Sequence, residues 1–415
     1  MQKPNIARPP FYYVKKRLLS NSPAVFGMIV IVLAVLVSIL GYSIMPDQTP
    51  YADERADQIS KKPPGFKVKM IRYRVNSEVP KRSFFAWILF GQPSEYKNIP
   101  IENYRIDDNT LSLIYRIYGE GQDKRLPLVD VIRPVYVGNA KEMANPDNID
   151  YDADSRKVRY ADLEGKIRTL SRVEVIAEFE KKGIIEKTYW MGTDNAGRDM
   201  LSRLLFGVRI SLGIGLISVV ISFLVGITLG SLAGFFGGWV DNLILWFMTV
   251  VWSIPGIMLV IAISLALGRG IFVAFVAIGL TTWVEIARVV RGQIMSVKQK
   301  QYVEAARALG MRSHRIILVH IMPNILGPLI VILTSNFASA ILTEAGLSFL
   351  GLSAQPPMAS WGVMVNEGFG FITTDGGFYL VLFPSLCIAM MVLAFNLFGN
   401  GLRDAYDPKT STRSR

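Results

Sequence analysis

Long uninterrupted apolar runs alternate along this chain with polar stretches. Residues 24–45 hold no charged side chain, and their length meets the roughly 20 residues that a helix needs to cross a bilayer. No small-residue cleavage pattern follows, since the chain continues Gly41, Tyr42, Ser43, Ile44, Met45, Pro46, so the run reads as an uncleaved anchor. Five further runs at 210–233, 243–267, 271–287, 324–343 and 378–402 predict five more spanning helices. The run at 271–287 is short and carries Glu285 near its end. Six spans place the basic segments on one side, whereas five would not.

Between the first two runs lie residues 46–190, far more than a compact connection, so this insertion is expected to fold on its own. Residues 66–75 alternate as a half-buried strand does, and residues 126–137 are rich in branched side chains and read as a second strand. Residues 157–160 and 166–170, split by Glu164 and Gly165, predict a hairpin. Ser171 with Glu174 forms a capping-box pattern and Gly183 marks a helix stop, so a short helix is expected to lead back to the membrane. The apolar cluster at residues 84–90 is too short to span. It could rest on the bilayer surface, but the reading preferred is that it fills the core of the insertion. Asp150, Asp152 and Asp154 alternate like the opening of a calcium loop, yet Ser155 and Ala161 stand where Gly and Glu are needed, leaving a solvated acidic loop after Asn145 and Pro146.

Composition agrees with a polytopic membrane protein: 51% of the 415 residues are apolar, and mean hydropathy is +0.33. The formal charge of +12 is concentrated outside the insertion, where 25 basic face 23 acidic side chains. Lys3, Arg8, Lys15, Lys16 and Arg17 precede the first run; Arg288, Arg291, Lys298, Lys300, Arg307, Arg312 and Arg315 follow the fourth, with Glu304 the only acid among them; Lys409, Arg413 and Arg415 end the chain. Six spans put all three segments on one face, which the positive-inside rule assigns to the cytoplasm, with both termini. The charge is therefore explained by topology and anionic lipid, not by nucleic acid. Cys387 is the single cysteine, so neither an internal disulfide nor a cysteine metal site can form, and His314 and His320 lack metal-ligating partners at suitable spacing.

The stretch YVEAARALGMRSHRIILVHIMPN, from Tyr302 through Glu304, Ala305, Ala306 and Gly310 to Pro323, sits between two apolar runs. It resembles the cytoplasmic loop that importer-type ABC permeases present to their ATPase subunits. GTDNAGRDMLSRLLFGVRISL at 192–212, LSFLGL at 347–352 and PPMASWG at 356–362 match the dipeptide and oligopeptide branch of those permeases in the same order. The resemblance covers about residues 189–407 plus the first apolar run. It implies an all-α polytopic membrane protein of six transmembrane helices with the type I (MetI-like) importer core, interrupted by an inserted α+β extracytoplasmic domain. The organisation expected is a cytoplasmic tail at 1–23, a first helix at 24–45, the insertion at 46–190, a five-helix core at 191–402 with its coupling loop at 288–323, and a cytoplasmic tail at 403–415. Related permeases have a shorter stretch in place of the insertion, so the resemblance gives that domain no role; scaffold and docking platform for a binding protein both stay open.

The resemblance implies that Tyr302, Val303, Glu304, Ala305, Ala306, Leu309, Gly310 and Pro323 couple the chain to an ATPase. Ala305, Ala306 and Ala308 favour helix and close approach, Tyr302, Val303 and Leu309 offer apolar anchors, and Gly310 permits a sharp exit. On spacing alone Glu304 is equally a solvated partner of Arg307, and Glu285 is expected to pair with Arg288 three residues on. Pro255, Pro328 and Pro384 fall inside apolar runs and are candidate hinges. Gly226 and Gly230 form a GxxxG pair, with Ala233 and Gly234 beyond, suited to helix packing. After the Gly237, Gly238, Trp239, Val240, Asp241 block the chain shows Trp246 and Thr249 where relatives usually carry Arg and Asp, so any ionic contact they make there is missing.

No Walker A pattern and no catalytic constellation occurs, so ATP and Mg are expected on partner subunits and no cofactor on this chain. The function implied is the permease subunit of an ATP-driven peptide importer in the bacterial inner membrane. It would assemble in the lipid bilayer with a second permease, two ATPase subunits or domains and an extracytoplasmic substrate-binding protein, without nucleic acid. Alternatives are a stand-alone secondary transporter or channel, for which inverted repeats, broken helices or mid-membrane charges are expected and not found, and import of nickel complexes, glycosides or a peptide antibiotic.

Overall fold

The computed structural model describes residues 10–138, 148–374 and 376–406. Lys3, Arg8, Asn145, Pro146, Lys409, Arg413 and Arg415 lie outside the described residues. The described chain divides into two compact units, one within Met1–Ile39, Gly207–Asn366 and Val381–Arg415, the other within Leu40–Phe206 and Glu367–Leu380.

Helix α1 (Pro10–Ser20) is followed by α2 (Ser22–Ile44). Asn21 Oδ1 accepts the Ala24 N–H at 3.2 Å, satisfying one of the donors that a helix start leaves without a partner.

The insertion then runs β1 (Phe66–Arg74), α3 (Phe84–Phe90), β2 (Tyr96–Asp107), β3 (Ser112–Ile117), β4 (Asp123–Pro127), α4 (Leu128–Ile132), β5 (Ile149–Asp152), β6 (Lys157–Ala161), β7 (Ile167–Ser171), α5 (Arg172–Lys182) and β8 (Ile184–Tyr189). Five strands form an antiparallel sheet in the order β4-β3-β2-β1-β8, and β5-β6-β7 form a second. Ile71, Leu113, Leu128, Val131, Val158, Val175 and Phe179 share one buried core. The strand at 66–74 and the hairpin of β6 and β7 lie where alternation placed them. The capping box is present, with Ser171 Oγ accepting the Glu174 N–H and Glu174 accepting from Ser171.

Three expectations for the insertion fail. Residues 126–137 are not one strand: β4 ends at Pro127 and α4 turns Leu128, Val129, Val131 and Ile132 into the core. Branched side chains tolerate either backbone, and burial on both sides decides; Asp130 pins the turn by accepting from Tyr73 at 2.7 Å and Asn76 at 3.0 Å. Nor does α5 lead directly back to the membrane, because β8 intervenes and pairs with β1 from Phe66↔Tyr189 to Ile71↔Ile184. Finally, the 84–90 cluster does not fill the core: it forms α3, none of whose residues is buried.

The 192–203 block folds into a buried ion cluster within the same unit. Arg198 donates to Asp194 at 2.6 Å, Asp53 at 3.1 Å and Glu367 at 2.8 Å, and Arg203 reaches Glu367 at 3.0 Å. Buried guanidinium groups are retained only when several acceptors share them.

The remaining elements are α6 (Met200–Phe236), α7 (Gly238–Ser253), α8 (Gly256–Leu267), α9 (Ile271–Val297), α10 (Gln301–Ala308), α11 (Ser313–Arg315), a π-helical turn (Ile316–Ile321), α12 (Met322–Phe349), α13 (Trp361–Phe369) and α14 (Tyr379–Tyr406). Among the described residues five helices are long and apolar enough to cross a membrane, and a sixth crossing results if α7 and α8 count as one. The run at 243–267 is thus not a straight helix, and the expectation that no span is broken fails. It bends by 90° between α7 and α8, where Ile254 is extended and Pro255 caps α8. By contrast α12 and α14 continue through Pro328 and Pro384.

Tight helix contacts hold this unit together. A Cβ on Gly27 of α2 would sit 2.4 Å from the Ala394 carbonyl of α14, and one on Gly207 would strike the Trp361 ring at 2.7 Å. Along α6, Gly226, Gly230 and Gly234 face Ile286, Ala287, Val290, Arg291 and Ile294 of α9 at distances no Cβ could occupy. Small residues at this spacing let two backbones approach when lipid offers no hydrophobic drive for association.

Candidate coupling surface

The glycine contact with α6 fixes α9, and α9 positions the chain beyond it. Its Ile286, Val290 and Ile294 enter a buried cluster with Phe235, Ile316, Ile317, Ile321, Ile325 and Leu329. After α9, Lys298 donates to the Phe235 carbonyl at 2.5 Å, and the chain turns at Lys300 into α10.

Helix α10 is amphipathic over only eight residues. Val303 and Ala306, three apart and therefore on one face, are buried in that cluster. Tyr302, Glu304, Ala305 and Leu309 are exposed, Leu309 to 81%. Val303 and Ala306 thus anchor α10 to this chain, while Tyr302 and Leu309 remain available to something else; the three expected apolar anchors divide between two faces.

The helix ends in a Schellman arrangement. Gly310 has φ of +72°, its N–H bonds the Arg307 carbonyl at 3.0 Å, and the Met311 N–H bonds the Ala306 carbonyl at 3.2 Å. Glycine is used for that conformation and not for space, since nothing lies within 4 Å of where a Cβ would be. Pro323 is exposed in the first turn of α12, directly after the π-helical turn. A proline lacks the N–H and crowds the carbonyl four residues back, which accounts for the wider turn before it.

Charged groups near this surface depart from their sequence partners. Arg307 stands 5.5 Å from the Phe235 ring rather than on Glu304. Arg288 lies 3.5 Å over the Trp252 ring, and among the described residues Glu285 and Arg288 form no ion pair, so the expected pairing is not made. An aromatic face attracts a guanidinium through its ring quadrupole, weakly even at exposed positions such as these.

Two functional-looking groups escaped sequence reasoning. Arg291 donates to both carboxylate oxygens of Asp241 at 2.6 and 2.7 Å, a two-pronged contact between α7 and α9. The block containing Asp241 was legible, but its partner lies 50 residues away. Glu344 was also missed. The predicted span stops at Thr343, whereas α12 continues to Phe349 with Glu344 wholly buried. Ser348 donates to it at 2.6 Å, Ser211 lies at 3.4 Å, and Ser360 sits 3.1 Å from Ser348. The run predicted at 324–343 thus stops one residue short of an ionisable group that the longer helix buries. The signal available was Glu344 and Ser348 at i,i+4 inside an apolar run.

Residues 226–412 match the family model described as binding-protein-dependent transport system inner membrane component. Residues 10–64 match the N-terminal TM domain of oligopeptide transport permease C. A glutathione transport system permease protein from Pectobacterium atrosepticum is 43% identical over 221 residues, covering 53% of this chain and 73% of that protein. This chain belongs to that inner-membrane transport family. An oligopeptide transport system permease protein from Bacillus subtilis is 39% identical over 223 residues, covering 54% and 72%, and a dipeptide transport system permease protein from the same organism is 41% identical over 221 residues, covering 53% and 69%. This permease chain is accordingly a multi-pass helical membrane protein, and its relatives are transport subunits.

Proposed function

We propose that this permease forms one transmembrane half of an ATP-driven importer of peptides and that α10 is its contact with an ATPase. The observation that carries the reading is the division of α10: an inner face locked by Val303 and Ala306 into the cluster of α9 and α12, and an outer face of Tyr302, Glu304, Ala305 and Leu309 left exposed. A short helix so anchored moves with the spanning helices on either side of it, which is what transmitting force requires. Exposed Lys300, Arg307, Arg312 and Arg315 make its surroundings basic, suited to an acidic groove and to the cytoplasmic side.

The rest of the assembly is set by this reading. A second related permease completes the path, two ATPase subunits or domains hold ATP and Mg, and an extracytoplasmic binding protein delivers substrate. Both termini and α10 are cytoplasmic, and the insertion faces the other side. Peptides are the substrate class that the names of the similar permeases support. Pro255, at the 90° break between α7 and α8, is the best placed of the three candidate hinges. Pro328 and Pro384, inside continuous helices, would act only by bending.

The test is affinity purification of the whole chain from native membranes, comparing the unaltered protein with Leu309→Asp and with Val173→Asp as an exposed control on α5. The expected result is an ATPase and a second permease recovered with the unaltered chain and the control, and loss of the ATPase alone with Leu309→Asp. A chain that purifies alone and transports without ATP would refute the proposal.

A further inference from the structure

Helix α3 presents an apolar surface that stays exposed among the described residues. Phe84, Phe85 and Phe90 are 64%, 78% and 62% exposed, and Trp87 is half-buried. This is not the exposure of a loose segment, because both ends of the helix are tied down. The Gly91 N–H closes it on the Trp87 carbonyl at 2.9 Å, and Arg82 reaches back to the Phe90 carbonyl at 2.6 Å and the Gly91 carbonyl at 3.0 Å. Gln92 holds the segment entering α3 by accepting the Arg82 N–H at 3.1 Å and donating to the Pro80 carbonyl at 3.0 Å.

The tether fixes the depth of α3. A Cβ on Gly91 would sit 2.7 Å from the Tyr42 ring and 2.7 Å from the Gln48 carbonyl, and the Gln92 N–H donates to that carbonyl at 2.9 Å. Tyr42 belongs to the last turn of α2, the first spanning helix. Seven helical residues extend only about 10 Å, so all of α3 stays near the level at which α2 leaves the hydrocarbon. The polar layer of a bilayer is about 5–7 Å thick on each side, and aromatic side chains favour that layer. Lys81 and Arg82, both exposed, adjoin the apolar residues as basic side chains do on helices lying in a lipid surface.

We propose that α3 lies in the headgroup layer of the bilayer beside the end of α2, with Phe84, Phe85 and Phe90 in contact with lipid, anchoring the insertion to the membrane. A protein docking there would need an outward-facing surface, whereas the tether to Tyr42 holds this one at the lipid boundary. The inference rests on α2 crossing the membrane and not on the substrate or the ATPase, so its failure would leave the transport reading intact.

The experiment uses the whole chain in lipid nanodiscs, with Cys387→Ser and a single environment-sensitive fluorophore at Phe85→Cys or, as control, at Val173→Cys. Lipids carrying a shallow nitroxide are expected to quench the Phe85 label several-fold more than the control, and aqueous iodide several-fold less. Equal iodide quenching without lipid quenching would overturn the proposal, as would protection appearing only when an extracytoplasmic binding protein is added. In the unaltered chain, a photoactivated carbene dissolved in the bilayer should label the peptide containing residues 84–90, and an unlabelled peptide would overturn it independently of any substitution.

Discussion

Replacing Gly230 by alanine should force α6 away from α9, while the same replacement at Gly213, on the same helix, should stabilise the protein. A methyl group at Gly230 would meet the Ala287 carbonyl oxygen at 2.5 Å and Val290 Cβ at 2.8 Å, whereas nothing lies within 4 Å of one at Gly213. The obstacle at Gly230 is helix backbone, which cannot rotate aside, so the two helices must separate at an overpacking cost of about 1–3 kcal/mol. At Gly213 the only effect is relief of glycine's conformational freedom in a helix interior, a gain of about 0.5–1 kcal/mol. The two variants should therefore differ by about 1.5–4 kcal/mol, a factor of roughly 10 to 1,000 in the unfolding constant. Reversible unfolding of the purified chain in mixed micelles, followed by circular dichroism, reads this directly. Equal stabilities for the two variants would show that the glycines of α6 serve no close contact with α9, and the account of how α10 is positioned would lose its foundation.

Other perturbations test other links. Gly310→Ala should weaken the α10 exit by about 1–2 kcal/mol through its left-handed φ, with Gly310→Asn milder because asparagine tolerates that region; transport-coupled ATPase activity of the assembled importer should rank Gly, Asn, Ala, and any other order would separate the cap from coupling. Glu344→Ala should destabilise by about 1–3 kcal/mol by leaving buried serine hydroxyls without their acceptor, and Glu344→Gln much less; thermal unfolding that does not distinguish the two would sink the serine–carboxyl account. In the capping box, the backbone N–H and the hydroxyl of Ser171 hold the Glu174 carboxyl below its ordinary value of 4.5. A lowered folded pKa contributes stability that is full above the unfolded value and is lost as pH falls through the folded one. Protection of α5 amides from hydrogen exchange should therefore drop below about pH 4.5 in the unaltered chain and show less acid dependence in Glu174→Gln; identical profiles would refute the capping role.

Much of this permease was legible because its determinants are local. A bilayer admits only long apolar segments whose backbone bonds close within the segment, so the spanning runs announce themselves whatever they pack against. The same locality made the Ser171–Glu174 cap, the β6–β7 hairpin and the Gly310 exit readable, since each is settled within a few residues. What the sequence could not decide is which of two locally permitted states long-range packing selects. Leu128 to Ile132 suit strand or helix, and became α4 once the core claimed four of their side chains. The 84–90 cluster suited core or surface, and the core reading preferred from sequence failed because the fold leaves its residues unburied. Asp241 chose Arg291, and Arg288 and Arg307 chose aromatic rings over the carboxylates nearest in sequence, because ionic and cation–π contacts follow distance in space. Glu344 is a carboxylate buried at the end of an apolar run, made tolerable by Ser348 one turn on, by Ser211 from α6 and by Ser360, which meets Ser348 just before α13. Apolar length and short-range bonding are properties of a segment, but the partner of a buried charge or an uncovered face exists only after the chain has folded.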